Sequence, residues 1–448
     1  MTAGDPRRAR RPRRTRTREV LDLLGDFESP NVTFTAPDGS WPIVWERARG
    51  CHVWDIEGKK YLDLTAAFGV AAAGHANPAV VRAGRQQMGR LLHAMGDVHP
   101  HALKARLARE LSRLTFGRWS GERGRVIFCN SGFEAVEAAL KTARLATGRA
   151  GIVSFEGGYH GLGYGTLNAT HRDHFRNPFL DQLREFGRFA PFPARDEPEG
   201  PGTGATWESR LDGMLREHPT GAVLVEPIQA RGGIRIPPTD FLTRLRRLCT
   251  KHGALLILDE IYTGFGRTGR WFACEHEKVV PDIICLGKAL TGGFPMSACV
   301  GRDDVMRRAW PPSHGEAIHT STYLGHPVGC AMALAQISEI RSKRLVARAA
   351  ALGKQLGRDL AQLAETPRTL RAKARCIGLM GGLELRRPDG SAAGAESVAI
   401  ITRLLKRGFV ILPEGADGEV ISFTPPLTIS GAELSRATRA LEEELDPG

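Results

Sequence analysis

Short runs of apolar residues alternate with longer amphipathic stretches along the middle of the chain. Runs of four or five residues with little polar interruption are typical of strands buried on both faces of a parallel sheet. The amphipathic stretches between them predict helices, among them 133–145 and 239–252. This alternation predicts an α/β fold whose mostly parallel sheet is covered on both faces. The predicted strands are 125–129, 151–155, 222–225, 254–258, 283–286 and 297–300.

The pattern changes on either side of this alternating region. Before it, 53–64 predicts two short strands around a Glu-Gly turn, followed by helices at about 78–93 and 101–114. After His326-Pro327 the pattern predicts helices 328–342, 343–364, 394–407 and 430–444, one long strand 376–385, and short strands 408–412 and 419–423. We therefore expect a large domain over 86–325, a smaller α+β domain over 326–448, and an N-terminal segment, 26–85, that joins the smaller domain.

The net charge of +13 comes largely from one end of the chain. Eight of the first twenty residues are arginines, and such a run predicts a disordered basic tail, which we place at residues 1–25. A nucleic-acid-binding protein would instead spread basic residues over a folded face, with aromatic residues among them. No apolar run reaches the length of a membrane helix, and no apolar segment of a secretory signal follows the arginines. We expect a cytoplasmic protein without nucleic-acid or membrane partners.

The eight cysteines are scattered and form no C-x-x-C pair. Cys129 and Cys285 lie inside predicted strands, where a free thiol behaves as a small buried hydrophobic group. This usage favours a reducing compartment and gives no pattern typical of structural zinc. The pairs His99–His101 and Cys274–His276 lack further ligands at suitable spacing, so we predict no metal site.

An acid and a lysine follow two of the predicted buried strands. Asp259 ends the run 254–258, and Lys288 comes directly after 283–286 and Gly287. The carboxyl ends of parallel strands are where α/β sheets bind ligands, so both side chains are expected at the same edge. A lysine removed from water has a lowered pKa and can form a Schiff base. An acid beside such a lysine is typical of enzymes that bind pyridoxal 5'-phosphate (PLP), where the acid contacts the pyridinium nitrogen.

Two further strand ends carry groups suited to the same cofactor. Ser131 and Gly132 stand where strand 125–129 passes into a helix, and a helix N-terminus with a free hydroxyl favours a phosphate. Tyr159 lies in a glycine-rich loop after strand 151–155 and offers a flat ring for stacking. Taken alone, each has an ordinary alternative, an N-cap serine or a core tyrosine. Together with the acid and the lysine they predict a PLP site.

The chain resembles the class III aminotransferases of PLP fold type I, the ornithine and 4-aminobutyrate type, over about 45–445. The resemblance implies a large domain with a seven-stranded type of sheet, a smaller α+β domain, and transfer of an amino group from an amino acid or amine to a 2-oxo acid. It rests on motifs in matching order and spacing, which are Asn130-Ser131-Gly132, Gly158-Tyr159-His160-Gly161, Glu226-Pro227-Ile228-Gln229, 259–269 and Gly287-Lys288.

The resemblance also implies a role for each site residue. Lys288 would form the Schiff base with PLP and move the proton, while Asp259 would keep the pyridine nitrogen protonated. Tyr159 and Ile261 would cover the two faces of the ring. Thr322 would reach the phosphate bound by a neighbouring subunit, which implies a homodimer with shared active sites. The remaining implied cofactor contacts are Ser131, Gly132, Phe133, Glu226 and Tyr262.

Departures from the family pattern concern the substrate more than the cofactor. Tyr262 stands where many relatives have a glutamine. Leu162 and Ser422 stand where relatives that act on 4-aminobutyrate or ornithine commonly have arginines, and Arg231 stands where they have a glutamate. We expect Arg231 to bind the substrate carboxylate and Phe68 to add bulk at the mouth. The alternative is that Arg231 points to solvent and the pocket is more apolar.

Two other functions remain open from the sequence. An aminomutase, racemase or decarboxylase would use the same fold and cofactor but break a different bond. A protein that binds nucleic acid or an anionic surface through its arginine-rich tail would need no cofactor. The absorbance band of bound PLP separates the second alternative from the first.

Overall fold

The structure is a computed structural model that describes residues 15–195 and 206–446 of the chain. Its strands are β1 (Trp45–Arg49), β2 (His52–Asp55), β3 (Lys60–Asp63), β4 (Gly124–Cys129), β5 (Gly151–Phe155), β6 (Gly187–Ala190), β7 (Thr220–Val225), β8 (Leu255–Asp259), β9 (Ile283–Leu286), β10 (Ser297–Arg302), β11 (Arg371–Ile377), β12 (Met380–Arg386), β13 (Phe409–Val410), β14 (Leu412–Glu414) and β15 (Val420–Phe423). Its helices are α1 (Arg16–Phe27), α2 (Ala66–Gly69), α3 (Pro78–Arg90), α4 (Ala102–Leu114), α5 (Phe116–Trp119), α6 (Gly132–Thr147), α7 (Tyr164–Leu167), α8 (Asp173–Arg176), α9 (Trp207–Glu217), α10 (Phe241–His252), α11 (Asp303–Ala309), α12 (Pro327–Ser342), α13 (Leu345–Glu365), α14 (Gly394–Lys406) and α15 (Gly431–Leu445).

A seven-stranded sheet forms the centre of the molecule, with the order β4-β10-β9-β8-β7-β5-β6. Only β10 runs against its neighbours, since it pairs antiparallel with both β4 and β9 while the other pairs are parallel. The mostly parallel sheet predicted from the apolar runs is confirmed. Its parallel strands end at a single edge, and this brings the loops after β5, β7, β8 and β9 together.

Both faces of this sheet are covered, as its unbroken apolar strands require. Leu224 and Ile257 pack in one cluster with the alanine-rich face of α6, including Ala139. Residues one position along the strands point the other way, so Val223 packs in the main core with Leu245 of α10. All of these side chains are buried. The period of two along each strand therefore divides the core into two layers.

Two smaller sheets complete the fold. One has the order β1-β2-β3-β13, in which β13 pairs parallel with β3 through Phe409 opposite Leu62. The other has the order β11-β12-β15-β14 and is antiparallel throughout. The first sheet joins strands near the two ends of the chain, so the N-terminal strands and the C-terminal residues pack as one layer.

The single long strand expected at 376–385 is wrong, because the structure has the hairpin of β11 and β12 there. The turn lies at Gly378, whose φ of 56° is in the left-handed region that favours glycine. A Cβ at this position would lie 2.3 Å from the carbonyl carbon of Thr268. The apolar residues on both sides of Gly378 concealed the turn, since they continue the strand pattern across it.

The basic tail predicted for residues 1–25 is also wrong from Arg16 onward, because α1 begins there. Residues 1–14 lie outside the described residues. Thr15 accepts a hydrogen bond from the backbone N–H of Arg18 at 3.2 Å and so caps the helix. Arg16 donates to the carbonyl oxygen of Ile56 at 2.6 Å and pairs with Glu46. The arginines concealed the helix, because a basic composition is typical of disorder and the contacts of Arg16 come from residues far along the chain.

The thiols, the acidic and metal-binding side chains and the helix lengths are three further features of the described chain. All eight cysteines have free thiols, and seven of them are buried. Within 15–195 and 206–446, no cluster of three or more His, Cys, Asp or Glu side chains is placed to hold a metal ion. In those same ranges, no helix has the length and apolar character needed to cross a membrane.

One fully buried arginine fastens the loop after β8 to the C-terminal part of the chain. Arg267 donates from Nη1 to the carbonyl oxygens of Leu379 at 3.0 Å and Pro425 at 2.5 Å. Its own carbonyl accepts the N–H of Leu379 at 2.9 Å. Burial lowers the pKa of Arg267 to about 10. The bonds of Arg267 hold two separate segments against the loop that follows Asp259.

Replacing this arginine should destabilise the fold without touching the cavity. Arg267→Met leaves two buried carbonyl oxygens without their donor, at a cost of about 1–3 kcal/mol each. We expect the free energy of unfolding, measured by urea denaturation of the apoprotein, to fall by a few kcal/mol. Arg270→Met is the matched control, because Arg270 is exposed three positions away. Equal stability of the two variants would contradict this account of Arg267.

Candidate active site

The loops after β5, β7, β8 and β9 surround a cavity of about 350 Å³. A wider cleft of about 740 Å³ lies elsewhere, between arginines 270 and 341, and contains no lysine. The smaller cavity contains both Lys288 and the carboxylates of Asp259 and Glu226, which stand at the ends of β8 and β7. Its walls are formed by Gly132, Phe133, Tyr159, His160, Gly161, Leu162, Glu226, Ala230, Arg231, Asp259, Ile261, Tyr262 and Lys288.

Lys288 lies at the base of the cavity, directly after β9. Its backbone φ is 42°, a left-handed conformation that is uncommon for a side chain of this size and frequent at functional sites. Burial lowers its pKa to about 8, although Asp259, Glu226 and Glu414 act in the opposite direction. Lys288 Nζ lies 4.0 Å from the centre of the Tyr262 ring. A neutral, nucleophilic amine is therefore available near pH 8.

Asp259 is held by a histidine to which the sequence analysis gave no role. His160 Nδ1 lies 2.8 Å from Asp259 Oδ2, and because a carboxylate only accepts, Nδ1 donates. The other oxygen, Oδ1, accepts the N–H of Ile261 at 3.1 Å. His160 is itself fixed by its N–H to Thr170 Oγ1 at 2.9 Å. The motif Tyr159-His160-Gly161 was the signal that could have identified this positioning residue.

Glu226 joins the loops that form two walls of the cavity. Its Oε1 accepts the N–H of Tyr159 at 3.0 Å, and its Oε2 accepts the N–H of Ala230 at 3.2 Å. Burial raises its pKa to about 7, and the nearby charge of Asp259 adds to that effect. Glu226 therefore fixes the loop of the stacking ring and the loop of Arg231 in one arrangement.

The N-terminus of α6 has the features of a phosphate cradle. Ser131, its N-cap, forms a capping box with Glu134, but its buried Oγ makes no hydrogen bond of ordinary geometry with the described residues. A Cβ at Gly132 would lie 3.1 Å from the Ile261 side chain, so glycine leaves the helix end open. An unsatisfied buried hydroxyl is costly unless a ligand completes its hydrogen bonds. This end of the cavity therefore fits the phosphate of PLP.

Aromatic and aliphatic side chains form the walls between the cradle and Lys288. Tyr159 and Ile261 both line the cavity, as expected for groups that cover a planar ring. Tyr262 presents its ring to Lys288, while its hydroxyl lies 3.1 Å from Thr424 Oγ1. Burial raises the pKa of Tyr262 to about 12, so this phenol stays neutral. Thr424 therefore hydrogen-bonds the hydroxyl of Tyr262, the residue that stands where many relatives have a glutamine.

Arg231 lines the cavity and stands over the stacking ring, with Cζ 5.4 Å from the centre of Tyr159. Its Nε lies 3.5 Å from Oε2 of Glu414, at the end of β14. This Nε is buried and makes no hydrogen bond with the described residues. The Arg231 side chain is 35% exposed, so it borders both the cavity and solvent, and its role as a carboxylate anchor stays a prediction. Glu414 was missed, because it reaches Arg231 from a hairpin far along the chain and not from the edge of the central sheet.

Among the other predicted substrate and partner residues, Leu162 lines the cavity, whereas Phe68, Ser422 and Thr322 do not. Leu162 lies at the rim and is about half exposed (47%). Phe68 is exposed on a left-handed turn whose Gly69 approaches the Tyr262 ring. Ser422 is buried, and its hydroxyl donates to the Leu412 carbonyl oxygen across the β14–β15 pair. Its side chain is too short to project beyond that bond, so Ser422 is not a contact of this cavity.

Thr322 is exposed in the loop before α12 and does not line the cavity of its own chain. In the same loop, Thr320 Oγ1 donates to Asp97 Oδ2 at 2.5 Å, which fastens this loop to the segment between α3 and α4. The expectation that Thr322 serves a neighbouring subunit stays a prediction.

Comparison with known proteins gives a family and several relatives. The sequence profile described as Aminotransferase class-III matches residues 34–445. Acetylornithine aminotransferase from Methanopyrus kandleri is 38% identical over 407 residues, covering 90% of this chain and 95% of its own. The 5-aminovalerate aminotransferase DavT from Pseudomonas aeruginosa is 34% identical, covering 90% and 94%. A PLP-bound amine transaminase structure from an uncultivated Pseudomonas species superposes with a TM-score of 0.83 at 29% identity, covering 94% and 98%.

Proposed function

This chain belongs to the class-III aminotransferases, and from that premise we propose which of its residues carry the reaction. The protein is a PLP-dependent transaminase that moves an amino group from an amino acid or amine to a 2-oxo acid. PLP supplies an aldehyde that takes up amino groups and a pyridinium ring that withdraws electrons. No contact in the cavity favours an aminomutase, racemase or decarboxylase.

Lys288 and Asp259 have the central roles in this proposal. The observation that supports it most strongly is a mostly buried lysine, with its pKa lowered to about 8, in the same cavity as a fixed carboxylate. Lys288 would hold the aldehyde carbon and then move the proton, since its neutral amine is available near neutral pH. Asp259, oriented by His160, would keep the ring nitrogen protonated.

The other cavity residues would position the cofactor. Ser131 and Gly132 would bind phosphate at the start of α6, beside Phe133. Tyr159 and Ile261 would enclose the ring between them. Glu226 and Tyr262 would shape the walls through their hydrogen bonds to Tyr159 N–H and Thr424 Oγ1.

The substrate would be a carboxylate-bearing amino compound held by Arg231. This arginine has an unused buried donor at Nε and lies over the ring of Tyr159. A charge-assisted bond to a carboxylate is worth about 1.5–3 kcal/mol. With Leu162 at the rim and Phe68 nearby, the pocket would disfavour 4-aminobutyrate and ornithine relative to a bulkier or differently placed amine.

The active unit would be a homodimer with shared sites. Exposed apolar side chains lie in the segment after α3 and in the loop that contains Thr322. The rings of His93 and Tyr323 are in contact and connect this segment to the loop. A contiguous exposed apolar patch marks an interface, and a second copy of this chain would cover it. Thr322 in this patch would then reach the neighbouring phosphate. The apolar members are Leu91, Leu92, Met95, Val98, Ile318 and Tyr323.

We also propose a domain division and a compartment. Residues 86–325 would form the PLP-binding domain and 326–448 the smaller domain, to which 26–85 is joined; the β3–β13 pairing supports that link. Eight free thiols support a cytoplasmic, reducing location.

Removing the Arg231 guanidinium should weaken the binding of carboxylate-bearing donors selectively. For Arg231→Ala we expect kcat/KM with such a donor to fall roughly 10- to 150-fold, which corresponds to about 1.5–3 kcal/mol, mainly through KM, because one charge-assisted bond is lost. Arg188→Ala on β6 is the matched control, since Arg188 is exposed and is not one of the residues that line the cavity. A silent Arg231→Ala would contradict the anchor. Ordinary efficiency of the wild-type protein with 4-aminobutyrate and 2-oxoglutarate would contradict the expected selectivity.

Mixing two inactive variants should restore activity if the sites are shared. Lys288→Ala lacks the amine, and Thr322→Asp repels the neighbouring phosphate. In a mixed dimer, one site combines an intact Lys288 with an intact Thr322. After unfolding and refolding together, activity should reach about one quarter of the wild-type value, because half of the random dimers carry one intact site.

Each variant refolded alone is the control and should remain inactive. Absence of restored activity in the mixture, or a fully active monomer by sedimentation, would contradict the shared-site dimer.

A further inference from the structure

The hairpin of β14 and β15 places the carboxylate of Glu414 next to Arg231. We call the part of the cavity formed by Arg231, which would bind the substrate carboxylate, the substrate wall. Glu414 is buried, and the residue after it is held from two directions. Gly415 donates its N–H to the Arg231 carbonyl oxygen at 3.2 Å, and its own carbonyl accepts from Arg172 Nη2 at 2.5 Å. Arg172 also donates to the carbonyl oxygen of Ala416 at 3.2 Å. These bonds fix the backbone of the hairpin, so Glu414 stays next to Arg231.

The groups that face Glu414 come from four loops. Arg231 follows β7, Lys288 follows β9, Arg172 lies between α7 and α8, and Tyr262 follows β8. Although the first three are cationic, burial outweighs their charges and raises the pKa of Glu414 to about 7. The phenol of Tyr262 stays neutral. Glu414 is thus the carboxyl group next to Arg231 whose charge changes near neutral pH, whereas Glu226, whose pKa is also raised to about 7, accepts hydrogen bonds from the N–H groups of Tyr159 and Ala230.

The pairing of Arg231 with Glu414 is incomplete. Their nearest atoms are 3.5 Å apart, and Nε makes no hydrogen bond with the described residues. A substrate carboxylate at Arg231 would place two carboxylates around one guanidinium. Two carboxylates that share a site disfavour ionisation of both, and one of them takes up a proton. The geometry therefore couples substrate charge to the protonation of Glu414.

We propose that Glu414 is a specificity-determining residue that sets the charge of the substrate wall. When a substrate carries a carboxylate, Glu414 takes up one proton from solvent and leaves Arg231 free to bind that carboxylate. When the substrate carries none, Glu414 stays ionised and neutralises Arg231, so an uncharged chain is accepted in the same place. This inference rests on the proposed role of Arg231 as the carboxylate anchor.

The direction of the pH effect follows from this coupling. Below about pH 7 Glu414 is already protonated, so binding of a carboxylate takes up no proton and its affinity is independent of pH. Above about pH 7 the protonated fraction falls, and the apparent affinity for a carboxylate falls by up to about tenfold for each pH unit. The affinity for an uncharged isostere lacks this dependence.

The first measurement compares 5-aminovalerate with its amide, 5-aminopentanamide, in the amine half-reaction of the holoenzyme. Both amines stay protonated over this range, so the ratio of their apparent dissociation constants isolates the carboxylate. We expect this ratio to rise about tenfold or more between about pH 7 and about pH 8.5 in the wild-type protein. In Glu414→Gln the ratio should be flat and should stay at its low-pH value. A pH-independent ratio in the wild-type protein overturns the proposal even if Glu414→Gln does not fold.

Glu419→Gln is the matched control variant. Glu419 lies on the same hairpin and accepts the N–H of Asp417 at 2.9 Å, but it does not line the cavity. We expect Glu419→Gln to keep the pH dependence of the wild-type protein. If the ratio of dissociation constants became independent of pH in Glu419→Gln as well as in Glu414→Gln, the pH dependence would belong to the hairpin as a whole. That result would overturn the role of Glu414.

The second measurement is independent of turnover. Calorimetry of glutarate binding in two buffers with different ionisation heats counts the protons taken up. We expect uptake approaching one proton at about pH 8.5, little uptake at about pH 6, and none in Glu414→Gln. If neither amine is converted but glutarate binds with this uptake, 5-aminovalerate is not a donor of this enzyme and the role of Glu414 stands. Binding of glutarate without uptake, or no binding at all, overturns the proposal.

Discussion

The removal of one lysine amine from water is the constraint on which this site depends. A charged amine in such a cavity is unfavourable, and burial lowers the pKa of Lys288 to about 8. Asp259, Glu226 and Glu414 favour the charged form and prevent a larger shift. The balance leaves an amine that is both available as a nucleophile and able to carry a proton near neutral pH.

That balance requires carboxylates at fixed positions, and the fold supplies them from separate strands. Asp259 ends β8 and is oriented by His160, and Glu226 follows β7 and holds two loops. Glu414 comes from the β14–β15 hairpin, which belongs to a different sheet. Arg267 fastens that part of the chain to the loop after Asp259 through two buried carbonyl oxygens. The electrostatics of the cavity therefore depend on how the sheets are joined.

The sequence was sufficient for six of the seven strands of the central sheet and for the groups that follow them, whereas the short edge strand β6 lacks an apolar run and was missed. Apolar runs and strand ends have short-range signals, which is why Lys288 and Asp259 were found at one edge. Glu414 could not be found in this way, because it reaches Arg231 only through a hairpin far along the chain. Gly378 was concealed for a related reason, since its turn is imposed by close contact with Thr268 rather than by local polarity. Ser422 was misplaced because a match in the chain does not give the direction of a side chain.

Borohydride reduction of the PLP-loaded protein tests the central claim most directly. Reduction makes the bond between a lysine amine and the cofactor permanent, and peptide mapping then identifies the lysine. The account predicts that the pyridoxyl group is found on Lys288, and that Lys288→Ala retains none after the same treatment. A pyridoxyl group on another lysine of the wild-type protein would contradict the assignment of Lys288 and the account of the cavity built on it.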